Sequence, residues 1–163
     1  MKPKLFHRCG IHIPVKNLRE TLKYYQEKLG FTEEWIWGEK DGGLQRDNMR
    51  LLFGEDPVYT EILNNNNNRL NLIWFVENVD EIYKEFQERK IEIASELKDY
   101  AYGMREFAFV DINGYYIRIA EENEDQKNRR TEDQKNRRTE EQKNRGTEDR
   151  RIEELSNRGT EEQ

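Results

Sequence analysis

His7, Cys9 and His12 spell H-x-C-x-x-H, three side chains of metal-binding type within six residues. Imidazole and thiolate together suggest a zinc site. The apolar run Cys9–Val15 that contains two of them reads as a strand, and side chains alternate along a strand. His7 and Cys9 then face one way and His12 the other, so the three converge only if the strand breaks. The pattern therefore predicts edge or surface histidines and a small buried thiol, with no bound metal. Neither histidine lies near a serine, and no nucleophile–base pattern gives a positive sign of catalysis.

The aromatic residues make a better binding argument. Trp35 and Trp37 share one face of a strand, and Phe53, Tyr59, Trp74, Tyr100 and Tyr102 add rings near strand ends and loops. Trp74 shares parity with Leu72 and Val76, which points it towards the helices and into a core. Trp35, Trp37 and Tyr102 are read as ligand-lining, with ordinary packing as the alternative. A hollow of flat rings, with Glu33, Glu34 and Glu39 near its rim, suits a planar or cationic small molecule through stacking and cation–π contact. Arg118 stands among apolar neighbours in the closing stretch Y-Y-I-R-I-A. Two roles are open to it: its head pairs with a carboxylate such as Glu106 while its stem packs, or it meets a ligand directly.

The elements that must position these residues come in two copies. From Val15 the chain reads V-K-N-L-R-E-T-L-K-Y-Y-Q-E-K, and from Val76 it reads V-E-N-V-D-E-I-Y-K-E-F-Q-E-R. Val15/Val76, Asn17/Asn78, Glu20/Glu81, Lys23/Lys84, Gln26/Gln87 and Glu27/Glu88 are identical at one offset, which marks a duplicated module. Asn17 and Asn78 are N-cap candidates, each with a glutamate three residues on, as in a capping box. Leu18, Leu22, Tyr25 and Leu29 form a helical stripe that Val79, Tyr83 and Phe86 repeat, and Gly30 stops the first helix. Strands are expected before each cap, at Cys9–Val15 and Leu70–Val76. Three more follow each helix: Thr32–Gly38, Gly43–Gln45 and Met49–Phe53, then Ile91–Ser95, Arg105–Val110 and Tyr115–Ala120. Each module reads β-α-β-β-β, and Asn64–Asn68 connects them as a polar surface loop. The predicted class is α+β, two βαβββ modules forming curled mixed sheets around a shared cavity, with a charged low-complexity C-terminal tail. Residues 1–122 form the domain, with module one at about 6–63 and module two at about 69–122.

Residues 123–163 differ in kind. No aliphatic or aromatic residue occurs from Asn123 to Arg151, where the octads N-E-D-Q-K-N-R-R, T-E-D-Q-K-N-R-R and T-E-E-Q-K-N-R-G follow one another. An eight-residue period without an apolar seam argues against a coiled coil. Such a segment is expected to be disordered or partly helical. Its 12 acidic and 11 basic residues nearly cancel, which leaves the domain mildly acidic, at 17 Lys and Arg against 22 Asp and Glu. That balance argues against nucleic acid as a partner. No apolar run is long enough to span a membrane, and one cysteine fits a reducing compartment, so a cytoplasmic protein is expected.

The stretches V-x-N-L…Y-Y…L-G-F in module one and D-x-N-G-x-x-I-R in module two resemble the vicinal-oxygen-chelate superfamily. It includes glyoxalase I, extradiol dioxygenases, fosfomycin-resistance enzymes and bleomycin-resistance proteins. The resemblance covers Phe6 to about Glu121 and is nearest to bleomycin-resistance-type members. It implies that metal ligands, where present, sit seven residues before each helix cap and in each module's last strand. Those positions are Gly10, Asn71, Leu52 and Arg118, none of which suits a divalent ion. His12 shares parity with Gly10, on the side that faces the hollow in this fold. The resemblance thus implies a metal-independent small-molecule binder without a cofactor, sequestering an antibiotic, and a homodimer with ligand crevices between subunits. The candidate ligand-binding residues are Trp35, Trp37, Tyr102, His12 and Arg118. A metal-dependent lyase or dioxygenase with unusual ligands is the enzymatic alternative, and an interaction module with a filled cavity is the other.

Overall fold

Asparagine sets both principal helix starts. The Asn17 side chain accepts from the Glu20 backbone N–H (2.9 Å) to open α1 (Leu18–Leu29), and Asn78 accepts from Glu81 N–H (3.3 Å) to open α3 (Val79–Glu88). Each helix start also receives a carboxylate from its module's closing strand. Glu55 accepts from Leu18 N–H at 2.9 Å and Glu121 from Val79 N–H at 2.8 Å. A carboxylate there satisfies an orphan donor and meets the positive end of the helix dipole.

The computed structural model describes residues 10–65 and 67–158, with side chains of the last helix described to residue 142. His7 and Cys9 lie outside the described residues. The chain order is β1 (His12–Val15), α1, β2 (Thr32–Trp37), β3 (Asp41–Arg46), β4 (Met49–Glu55), α2 (Pro57–Leu63), β5 (Asn71–Phe75), α3, β6 (Ile93–Tyr100), β7 (Met104–Val110), β8 (Tyr116–Glu122) and α4 (Glu124–Arg158). Two four-stranded sheets result, ordered β1-β4-β3-β2 and β5-β8-β7-β6. In each, the module's first strand runs parallel to its last. This is the expected α+β plan of two βαβββ-type modules.

One element was not anticipated. Asp56 caps α2 by accepting from Tyr59 N–H (2.9 Å), with Pro57 in the first turn, where a missing N–H costs nothing. The expected surface loop after it is partly internal: Asn64 is buried and its side-chain oxygen accepts from Leu70 N–H at 2.9 Å.

Each sheet turns one face to its helix, and these faces share one core. The Tyr25 ring on α1 touches Phe53 of its own module and Trp74 of the other, at centroid distances of 5.0 and 6.2 Å. Trp74 in turn meets Phe31 and Phe109, so it packs towards the helices as its parity predicts. The space between the helix-bearing faces is therefore solid, and any hollow belongs to the opposite, open faces.

The D-I-N-G turn after β7 closes the seam. Buried Asp111 accepts from the Tyr25 hydroxyl (2.8 Å) and from the backbone N–H groups of Asn113 and Tyr115 (both 2.9 Å). Asn113 accepts from Lys16 N–H at 2.9 Å, while the Tyr115 hydroxyl donates to the Pro14 carbonyl at 2.7 Å. Burial pushes the Asp111 carboxyl above its ordinary value, against the opposing pull of these donors. Burial together with the nearby Asp111 charge holds the Tyr25 phenol well above its own ordinary value.

The chain divides into two compact units. One covers the chain to Tyr100 together with Arg105–Glu121; the other joins Ala101–Met104 to the chain from Glu122. In the second, Asn123 caps α4 by accepting from Gln126 N–H (3.1 Å), and its own N–H donates to the Gly103 carbonyl (3.0 Å). The octad repeat, expected to be disordered or partly helical, lies in one continuous helix that runs through Gly146.

Candidate ligand-binding face

Register partners across the first sheet place two rows of residues on its open face. One row is His12–Leu52–Gly43–Trp35 and the next is Pro14–Gly54–Asp41–Trp37. The opposite face carries Ile13, Phe53 and Leu44, all buried. Three of the five predicted residues, His12, Trp35 and Trp37, thus share one surface.

Two glycines shape it. A Cβ at Gly43 would stand 2.2 Å from Trp35 Cζ2, and one at Gly54 would stand 2.2 Å from His12 Cε1. Each ring therefore lies low across a neighbouring strand. The His12 imidazole crosses Gly54 to reach Asp41, with Nε2 3.1 Å from a carboxylate oxygen. The Arg50 guanidinium sits 4.0 Å above the Trp35 ring, a cation–π stack supplied by the protein itself. Trp37 remains 78% exposed at the end of the second row. The surface is a flat aromatic shelf, with one imidazole–carboxylate pair and one stacked guanidinium.

Arg118 is on the open face of the other sheet, as the register partner of Ile73. It makes a two-pronged pair with Glu106, Nε to Oε1 at 2.8 Å and Nη2 to Oε2 at 2.6 Å. Glu106 is only 4% exposed, so this pair stands largely out of water. The pairing with Glu106 weighed for Arg118 is thus present. Exposed Ile73 and Phe75 flank it on β5. Tyr102 belongs to the second unit, exposed in the turn between β6 and β7.

Of the carboxylates expected at the rim, Glu33 and Glu39 are exposed and Glu34 is engaged elsewhere. Glu34 turns to the helix side, where it accepts from Gln26 Nε2 (3.0 Å) and lies 4.0 Å from Arg19. Asp41 adds an acidic group on the shelf, beside His12. Asp41, Arg50, Gly43 and Gly54 all escaped the sequence reading. The available signal was glycine inside a strand pattern beside tryptophan, which marks a close approach to backbone.

The four positions that the resemblance marks for metal ligands hold a glycine, a leucine, an asparagine and an arginine. A Cβ at Gly10 would lie 3.4 Å from Leu52 Cδ1, so these two positions adjoin, but neither has a ligating atom. Asn71 contributes an amide and Arg118 a cation already engaged with Glu106. Among the described residues, no three His, Cys, Asp or Glu side chains gather as a metal site. A separate shallow groove of about 740 Å³ runs along α2, lined by Lys16, Pro57, Val58, Glu61, Ile62 and Asn65, and includes none of the predicted residues.

Two mixed sheets of this order, each joined to a capped helix, define a glyoxalase-like domain. Residues 6–119 match the model of the Glyoxalase/Bleomycin resistance protein/Dioxygenase superfamily, and the chain belongs to that family. Among solved structures, it is similar to a bleomycin resistance determinant encoded on the transposon Tn5. The identity there is 19% and the TM-score 0.60, over 73% of this chain and 99% of that one. It is also similar to a bleomycin-binding protein complexed with bleomycin (21%, TM-score 0.58, 71% and 98%). A third is the bleomycin-binding protein from bleomycin-producing Streptomyces verticillus, complexed with copper(II)-bleomycin (16%, TM-score 0.56, 71% and 97%). No curated protein matches the chain.

Proposed function

We propose that the chain is a metal-independent small-molecule-binding protein whose ligand lies on the open face of the first sheet. The carrying observation is the shelf itself: Trp35 and Trp37 on one strand face, with the ring of Trp35 laid over Gly43. Flat rings bind flat molecules by stacking, and such binding needs no catalytic group. Of the expected planar and cationic ligand properties, planarity is the better supported, because Arg50 already occupies the position over Trp35 and leaves its own flat guanidinium and the exposed Trp37 ring as the stacking surfaces. The residue types at the metal positions support the metal-independent reading.

Antibiotic sequestration is the particular role proposed, supported by likeness in fold to proteins described as binding bleomycin. Ile73 and Phe75, exposed beside the Arg118–Glu106 pair, are the surface proposed for a second copy of the chain, which would complete a crevice. A cytoplasmic setting is proposed as well. Among the described residues, no helix is long and apolar enough to cross a membrane.

Calorimetry of the full chain with bleomycin tests the role, and sedimentation tests the dimer. Absence of heat at high-micromolar protein removes the antibiotic assignment. The broader reading is tested by tryptophan fluorescence against a panel of planar heterocycles. It fails if none of them perturbs Trp35 or Trp37.

A further inference from the structure

The last helix poses a physical problem that the binding domain does not address. α4 spans 35 residues, and its described side chains from Arg129 to Gln142 are all exposed. A helix that is polar all round is stable only when its own side chains support it, because no apolar face drives it onto a partner.

The octad supplies that support by arithmetic. Eight is twice four, so a residue and its i+4 neighbour occupy opposite halves of every repeat, and the relation recurs without drift. By sequence spacing, Asp125, Arg129, Asp133, Arg137, Glu141, Arg145 and Asp149 stand in one unbroken i, i+4 row of alternating charge, although no ion pair is closed along it among the residues whose side chains are described. Lysine adds i, i+3 partners to the acidic residue opening each octad, and the first such pair, Lys127 to Glu124, stands at 3.3 Å. Thr131 and Thr139, one octad apart, each donate a hydroxyl to the carbonyl four residues back, at 2.8 and 2.9 Å. The same period denies the helix an oligomeric seam. At about 100° per residue, each octad is turned roughly 80° from the last, so no stripe stays on one side.

We propose that α4 is a self-supporting, charge-laddered helix that serves as a stiff monomeric spacer, holding its two ends about 50 Å apart. Gly146 is the weak point of the ladder, and the aliphatic residues Ile152 and Leu155 lie beyond it, near the helix end.

The test uses the full chain with Cys9→Ser and spin labels on Asn128→Cys and Ser156→Cys. A continuous helix places these positions about 42 Å apart in a narrow distribution. A flexible chain of that length gives a broad distribution centred near 30 Å. The narrow long distance is expected at low salt and low protein concentration, with shortening and broadening at 1 M salt as the ladder is screened. Arg137→Glu combined with Glu140→Arg keeps the composition but makes the row like-charged from Asp133 to Glu141. It should shorten and broaden the distribution without added salt. The proposal is overturned by a broad distribution in the unpermuted chain. It is equally overturned by a distance that ignores both salt and permutation, or by one that appears only on concentrating the protein.

Discussion

The two modules share a scaffold and differ on their open faces. His12 pairs in register with Leu52 on the first sheet, and Ile73 with Arg118 on the second, so the polar and aliphatic members exchange strands between copies. The residues that hold the helices did not diverge in the same way. Asn17 matches Asn78, and Glu55 and Glu121 reach the same helix donor from the ends of β4 and β8. Helix starts demand particular donors and acceptors and so keep their residues, while an open face accepts any chemistry. Module one has filled its face with rings lying over glycine, and module two with a largely buried ion pair.

The largest expected effect breaks the second face. Arg118→Met leaves the Glu106 carboxylate buried without its cation, and a loss of about 3 kcal/mol in urea denaturation is expected. Arg50→Met on the first face removes no buried partner. It should cost under about 1 kcal/mol, while altering Trp35 fluorescence and making room for a cationic planar ligand. Equal losses from the two variants would mean that the faces do not differ as described.

Next in size is the seam that both modules need. Asp111→Ala strips the Tyr25 hydroxyl and two backbone N–H groups of their acceptor, at a cost of about 2–3 kcal/mol in a single cooperative transition. Asp111→Asn should cost much less, because its amide can donate to the Tyr25 oxygen while its carbonyl keeps the backbone donors. The pair also separates in pH. Burial raises the Asp111 carboxyl above the ordinary 3.8, so its neutral form stabilises the fold fully below that pH. The contribution is lost as pH rises through the raised value. Thermal melts across that acid window should show the wild-type loss and should not show it in Asp111→Asn.

Smallest is the test of what duplication preserved. Glu55→Ala and Glu121→Ala each remove a carboxylate from a helix start and should each cost about 1 kcal/mol. A clear inequality, measured by chemical denaturation, would show that the shared geometry does not carry shared energy.

Much of this plan was legible in the chain. Asn17 and Asn78 at equal distance from matched apolar stripes announce two modules, and strand parity placed Trp74 inside and Trp35 with Trp37 together. α2 was missed because seven residues carry too little periodicity to be read, although Asp56-Pro57 is a helix-start signal. Arg50 and Asp41 were missed because their partners, Trp35 and His12, lie on other strands.

The sequence by itself determined the repeat, the helix starts and the strand faces. These are properties of residue type and near-neighbour spacing. It also determined the charge ladder of α4, which depends only on the interval of four. The tertiary structure decided that Arg50 stacks on Trp35, that Arg118 belongs to Glu106, and that His12 reaches Asp41 across Gly54. Each of these depends on which strands lie side by side, and strand order is set by the packing of distant segments around a common core.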